Sequence, residues 1–229
     1  MSICSTDLLL RAHSQGLADG FINFWVGLIG SLVDPVGPET TVLEFGATGS
    51  KFLRLLYLVA PYKRATGVVL AEDADGGDHK WASPPTWPGS FVPEAEAGES
   101  AQPVDLAFST EVLGLLPDLR THAATMSARI RPGGCYYTSL GWHSDNPHLE
   151  RHVSIRRSRG LPFYSYSLDD VAHAFHDAGF EVGFKRLKIP YFLMFDPVVT
   201  AKRFGTVASM ITCLEDHRVV FSFRRLGGS

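Results

Sequence analysis

The sequence predicts an α/β fold in which a mostly parallel sheet carries helices on both faces. Three observations predict it. A short apolar, β-branched run at Thr41 to Phe45 passes through a glycine turn into a helix with an apolar stripe; strand-like and helix-like stretches then alternate along the rest of the chain; and 229 residues of 45% hydrophobic content suit one α/β unit with a full core.

From Thr6 to Val33, residues Leu8, Leu9, Phe21, Ile22, Trp25, Leu28, Ile29 and Leu32 recur at helical spacing, with Gly16 and Gly20 as breaks, so residues 1–40 are expected to form lead-in helices. Asp34-Pro35 and Gly37-Pro38 punctuate the chain before the first strand, Thr41 to Phe45. Gly46-Ala47-Thr48-Gly49-Ser50 follows, then a helix from Lys51 to Leu58 whose Phe52, Leu53, Leu55 and Leu56 suit packing on a sheet. A second strand is expected at Ala65 to Leu70. Ala74 to Pro88 is too rich in Gly, Pro and Asp for a regular helix and reads as a long loop.

Phe91-Val92 reads as a short strand and Val104 to Ser109 as a longer one. Leu119 to Ile130 reads as an amphipathic helix closed by Arg131-Pro132-Gly133-Gly134, and Cys135 to Leu140 as the next strand. Ser167 caps a helix reaching Ala178, with Asp169 and Asp170 in its first turn and Gly179 after its end. Strands at Phe180 to Ile189 and Val219 to Leu226 complete the pattern, separated by an insertion at about 190–216 with a helix near Val198 to Leu214. Residues 1–229 read as one domain, with a core from residue 41 onward.

A net charge of −3 with 20% charged residues describes an ordinary globular chain and does not favour a polyanion, so the expected partner is a small molecule rather than a nucleic acid. Cys4, Cys135 and Cys213 are scattered and contain no CxxC pair, which suggests neither a disulfide framework nor a zinc site and fits a reducing cytoplasm. The apolar stretch Phe21 to Val33 is interrupted by Asn23, Gly27 and Gly30 and is too short to span a bilayer, so neither a signal peptide nor a membrane anchor is expected.

A glycine turn between a buried strand and a helix lets backbone approach a ligand, and the helix start offers free N–H groups. Taken alone, Gly46-Ala47-Thr48-Gly49 also suits the nicotinamide loop of a short-chain dehydrogenase. Against that reading, Phe52 stands where another glycine is wanted, and the chain has no Tyr-x-x-x-Lys.

The other segments decide between the two. Val42-Leu43-Glu44-Phe45-Gly46, then Val104 to Leu113 continuing to Leu116-Pro117-Asp118, then Arg131 to Gly134, then Asp177-Ala178-Gly179-Phe180-Glu181 resemble, in that order, the first and fourth motifs and the approaches to the fifth and sixth strands of small-molecule class I S-adenosylmethionine-dependent methyltransferases. The resemblance implies a Rossmann-like, doubly wound sheet with an antiparallel last strand and N-terminal lid helices. It also implies S-adenosylmethionine as co-substrate and no metal. Gly46, Ala47, Thr48 and Gly49 would lie along the methionyl part and Glu44 would face its ammonium. Ser109, Thr110 and Glu111 would line the transferable group, and Glu94 would meet the adenine amine. The chain departs from the family in three respects. Thr48 and Ser50 replace the loop's later glycines; Val69 stands where an acid holds the ribose, leaving Glu72 or Asp73 to replace it; and the helix expected after the second strand is eroded.

Methyl transfer from a sulfonium is an in-line displacement that needs alignment and exclusion of water, with a base where the acceptor must lose a proton. The stretch Gly141-Trp142-His143-Ser144-Asp145-Asn146-Pro147-His148 is the densest polar cluster after a strand. It offers His143 as base or positioning group, Asn146 as orienter and Asp145 as partner to either; a capped surface loop accounts for the same residues. Tyr164 or Tyr166 could close the pocket, or pack the following helix cap. His148 and His152 share a helical face but lack a third metal ligand. Arg151, Arg156, Arg157 and Arg159 allow an anionic acceptor or form a solvated surface. Phe21, Phe24, Trp25 and Tyr191 to Phe195 suit a lid, core or homodimer contact equally.

The leading expectation is methylation of a small molecule. A second keeps the co-substrate but uses its aminocarboxypropyl arm, transferred or closed into a ring such as azetidine-2-carboxylate with release of methylthioadenosine. A third is a non-catalytic binding module of the same fold.

Overall fold

The computed structural model describes residues 22–47, 51–70, 87–97, 102–189 and 192–227. Seven strands form one sheet: β1 (Thr41–Phe45), β2 (Arg64–Val69), β3 (Gly89–Pro93), β4 (Val104–Thr110), β5 (Ile130–Leu140), β6 (Phe180–Arg186) and β7 (Val219–Arg225). Their order is β3-β2-β1-β4-β5-β7-β6. β3, β2, β1, β4 and β5 pair in parallel, and β7 runs antiparallel to both β5 and β6. The Rossmann-like sheet with its antiparallel last strand is thus as expected. The chain switches direction between β1 and β4, where the carboxyl ends of parallel strands leave a crevice.

The helices are α1 (Ile22–Ile29), α2 (Lys51–Val59), α3 (Leu119–Arg129), α4 (Leu149–Arg157), α5 (Leu168–Asp177), α6 (Pro197–Arg203) and α7 (Val207–Ile211). Each of the longer start signals is local. Asp118 accepts hydrogen bonds from the N–H groups of Arg120 and Thr121 at the start of α3, and Ser167 and Asp170 form a reciprocal capping box on α5. One sheet face buries Leu43, Ala107, Tyr136 and Phe223 against α3 and α5 through Ala123, Met126, Val171 and Phe175. The other face buries Val42, Leu106, Phe108 and Tyr137 against α1 and α2 through Trp25, Leu28, Phe52 and Leu56. Each large side chain removed from water in this way contributes about 1.5–3 kcal/mol.

Three expectations change. The fifth strand starts earlier than Cys135: Ile130 already pairs with Val104, and residues 131–134 form an irregularity before Cys135 pairs with Leu106. The late insertion holds two short helices rather than one, because Gly205 breaks the run with φ +88°. Trp25, a lid candidate, is a core residue edge-on to Phe52. The lead-in before residue 22, Phe21, Tyr191 and the long loop as far as residue 86 lie outside the described residues.

One polar pin fixes the relative height of the two strands that flank the switch point. Asp105 Oδ2 accepts from Thr41 N (2.7 Å) and Thr41 Oγ1 (2.6 Å), while Arg131 pairs with Oδ1. Burial works against the Asp105 carboxylate, but these donors prevail and hold its pKa below the usual value.

His122 of α3 is packed among Phe45, Tyr136 and Phe175. Burial, aided by the charge of Arg129, lowers its pKa to about 3. The unfolded chain therefore takes up the proton first as pH falls, so this contribution is complete above the ordinary histidine value and is lost from about pH 6.5 downward. Urea unfolding should show wild type losing roughly 2 kcal/mol more than His122→Phe between pH 6.5 and pH 5; equal losses would contradict a neutral buried imidazole.

Candidate active site

The candidate site lies along the carboxyl edge of β1, β4 and β5. Glu44 occupies the end of β1 in an otherwise apolar strand and is only 5% exposed. Its Oε2 is buried without a hydrogen-bond partner among the described residues. Burial raises its pKa to about 8, so the free protein holds a neutral carboxyl here at pH 7. An unpartnered carboxyl oxygen at a switch point is suited to a cationic ligand group, whose arrival would supply the missing partner and ionise it.

Gly46 follows, in the left-handed region at φ +76°, and a Cβ there would meet Val112 Cγ2 at 2.4 Å. Gly46 N and Ala47 N both donate to Val68 O at 2.9 Å, so these two N–H groups anchor the turn to β2 rather than pointing at a ligand. Thr48 and Gly49 lie outside the described residues, as do Glu72 and Asp73. Glu94 stands exposed just beyond the carboxyl end of β3.

At the end of β4 the expectation of a side-chain lining is corrected for Ser109. Its hydroxyl is fully buried and lies 2.6 Å from both Tyr136 Oη and Thr138 Oγ1, inside the sheet layer rather than in the crevice. Thr110 is partly buried and pairs with Ser139 across to β5. Glu111 is the one non-glycine residue with positive φ, +59°, among the described residues. Such strain persists only where surroundings hold it. Here Ser139 Oγ donates to Oε1 (3.1 Å), Gly141 N donates to Oε2 (2.9 Å), and Arg218 approaches Oε1 at 2.6 Å. Glu111 is thus an ion-paired strut rather than a free lining group.

Arg218 was not singled out from the sequence. It precedes β7, is 3% exposed, and carries its guanidinium 3.8 Å from the centre of the Phe24 ring. Only the antiparallel pairing of β7, Val219 beside Leu140, brings it to the carboxyl edge. One arginine flanking an apolar strand carries no such signal in sequence.

The loop after β5 proves to be a clasp. His143 is 1% exposed; its Nε2 lies 2.7 Å from His217 O, and Asp145 Oδ2 is 3.4 Å from Nδ1 without a directed hydrogen bond. Asn146 is also buried, donating to Gly141 O (2.7 Å) and accepting from His148 N (2.9 Å). Asp145 accepts from Leu168 N at the start of α5 (3.0 Å). These bonds show the three polar groups holding the loop, the second of the two readings that the sequence offered for them. Tyr166 donates to Leu116 O (2.7 Å), which ties it to the packing role. Tyr164 stays half-exposed, with its N–H donating to Gly114 O.

His152 stacks on Trp142, 4.4 Å between ring centres, and among the described residues no group of three or more His, Cys, Asp or Glu could hold a metal ion. Arg151 caps the end of α6 through Ala201 O and Lys202 O. Phe204, Cys213 and Leu214 pack with Phe24 and Trp142 to roof this end of the sheet. A cavity of about 330 Å³ in the insertion is lined by Phe192, Leu193, Phe195 and Met210, and its Leu193 and Met210 also pack against the Phe204 cluster. No helix of the described residues is long and apolar enough to cross a membrane.

Two substitutions test this geometry. Because the folded pKa of Glu44 lies above its unfolded value, its stabilising contribution is present below about pH 4.5 and is lost as pH rises toward 8. Glu44→Gln, isosteric with the protonated form, should gain on wild type by roughly 1.4 kcal/mol per pH unit across that window in thermal or urea unfolding; parallel pH profiles would contradict it. Gly46→Ala should cost about 2 kcal/mol, measured by the urea midpoint, and an unchanged midpoint would show that the turn tolerates a side chain.

The comparisons with known proteins agree with this architecture. A family model described as Methyltransferase domain matches residues 20–183, well over half of the chain. No curated protein sequence matches it. Among solved structures, a chain from the complex of the Haloferax volcanii Trm112 methyltransferase activator with its methyltransferase-like partner superposes with a TM-score of 0.76 at 15% identity, covering 99% of this chain and 100% of that one. An S-adenosylmethionine-dependent methyltransferase from Mesorhizobium loti gives 0.63 at 17% identity, covering 89% and 98%. Phosphoethanolamine N-methyltransferase 2 of Haemonchus contortus, in complex with S-adenosyl-L-methionine, gives 0.64 at 14% identity; the match covers 98% of this chain but 58% of that enzyme. At these identities the structural likeness concerns the fold. The family match, the motif order and the seven-stranded sheet together show that the chain belongs to the methyltransferase domain family, within the class I S-adenosylmethionine-dependent superfamily.

Proposed function

We propose that the chain transfers a methyl group from S-adenosylmethionine to a small-molecule acceptor. The observation that carries the reading is the buried Glu44 carboxyl, unpartnered at Oε2 and placed at the end of β1 next to the Gly46 turn. A ligand with an ammonium group supplies what that oxygen lacks, and S-adenosylmethionine carries one beside its electrophilic sulfonium. The glycine turn permits close approach of the methionyl part.

The residues that fasten the crevice support alignment rather than proton transfer as the chain's contribution. His143, Asp145 and Asn146 hold the loop after β5, and the roof of Phe24, Trp142 and Phe204 excludes water from the strand ends. In-line displacement from a sulfonium gains most from these two effects.

Incubation of the purified chain with S-adenosylmethionine, with and without mixed small-molecule acceptors, followed by mass spectrometry, tests the reading. S-adenosylhomocysteine formed in step with a methylated acceptor is the expected result. Methylthioadenosine formed without acceptor would replace it with chemistry at the aminocarboxypropyl arm, and failure to bind either nucleoside would leave a non-catalytic module.

A further inference from the structure

Arg218 pairs with Glu111, yet that pair does not use all of its buried donors. Its guanidinium is buried between the Phe24 ring, the Gly141 backbone and Glu111; a Cβ on Gly141 would come within 3.0 Å of it. Burying a charged group is costly unless its donors are satisfied. Glu111 approaches Nη1 at 2.6 Å, yet off the N–H direction, and neither Nε nor Nη1 has a directed hydrogen bond. Glu111 also has other donors, since Ser139 and Gly141 already bond its two oxygens. Buried donors left in this state mark a functional group or an absent ion, and a planar guanidinium matches the paired oxygens of a carboxylate or phosphate.

From this geometry we infer that Arg218 forms a subsite for a small oxyanion, a carboxylate or phosphate, carried by the methyl acceptor. The inference rests on the carboxyl edge being the site of transfer. Position separates this subsite from the co-substrate's own charged groups. Glu44 and Gly46 stand near the end of β1, whereas Arg218 immediately precedes β7, three strands farther along the sheet and so about 14 Å away from backbone to backbone. The surroundings favour an anion. Burial first, and then Arg156, Arg203 and Arg218, lower the pKa of His152 to about 4, so three cations act on one small region. They offset the Glu111 charge that an incoming anion would meet. Phe24 of α1 covers one face of the guanidinium, so a bound oxyanion meets it at its edge, where Nε lies.

The test uses the whole chain with inorganic phosphate and with acetate as probes, titrated calorimetrically against chloride at equal ionic strength, with and without saturating S-adenosylhomocysteine. Wild type should show one saturable oxyanion site whose affinity is unchanged by the nucleoside. Preference for phosphate or for acetate identifies which oxyanion the acceptor carries. Arg218→Lys should weaken that site by about tenfold, because the fork geometry is lost while the charge remains. Its affinity for S-adenosylhomocysteine should stay as in wild type. If the lysine variant does not fold, Arg218→Gln combined with Glu111→Gln removes both charges of the pair and should abolish the site. Absence of saturable binding to wild type would overturn the inference, as would equal binding by the variants. Displacement of the anion by S-adenosylhomocysteine would overturn it too, by making Arg218 the partner of the co-substrate's carboxylate. Oxyanion binding that depends on Arg218 in a chain that does not bind the nucleoside would uphold the anion subsite while removing the methyltransferase reading.

Discussion

A carboxyl group held without a partner at the end of β1 is the constraint on which the candidate site depends. Glu44 is buried where every neighbouring strand residue is apolar, and it stays neutral at the cost of a pKa raised to about 8. Such a position destabilises the free protein above the ordinary carboxyl range, and a well-packed apolar residue would not. It persists at the one place where the sheet reverses its winding, between β1 and β4, with the Gly46 turn beside it. The Asp105 pin to Thr41 fixes the two strands in register, so the carboxyl and the end of β4 face the same crevice.

The second half of the edge is built differently. Around β5, β4 and β7 the polar groups tie the loops together: Asn146 holds Gly141, His143 holds His217, Asp145 holds the start of α5, and Glu111 gathers Ser139, Gly141 and Arg218. The strain at Glu111, φ +59°, is held by those three contacts. One half of the crevice thus buries a carboxyl, and the other buries a guanidinium paired with Glu111, with the loop clasp between them. That division suits a reaction whose main requirement is to place two ligands in line and dry.

Much of the fold was legible in the sequence because its signals are local. The run Thr41 to Phe45, the Ser167 cap with Asp170 and the Gly179 stop each depend on neighbours a few residues away. At Glu44 a motif drew attention to a residue that the structure buries near the end of β1. Polar density at Gly141 to His148 left two readings open, since a cluster of hydrogen-bonding residues serves a loop clasp as readily as a catalytic centre; burial and partners show the clasp. Ser109 was misplaced for a related reason: alternation along β4 turns its side chain into the sheet layer with Tyr136 and Thr138. Arg218 escaped notice because its place is set by long-range antiparallel pairing, 77 positions from Gly141 in sequence but adjacent to it in space.

The central claim, that Glu44 waits neutral for a cationic ligand, is tested most directly by proton release. Calorimetric titration of the chain with S-adenosylhomocysteine at pH 7, in two buffers of different ionisation enthalpy, counts protons exchanged on binding. The account predicts release of close to one proton by wild type and none from this site by Glu44→Gln, which should also bind more weakly. Binding by wild type without proton release, or equal release by both proteins, would contradict it.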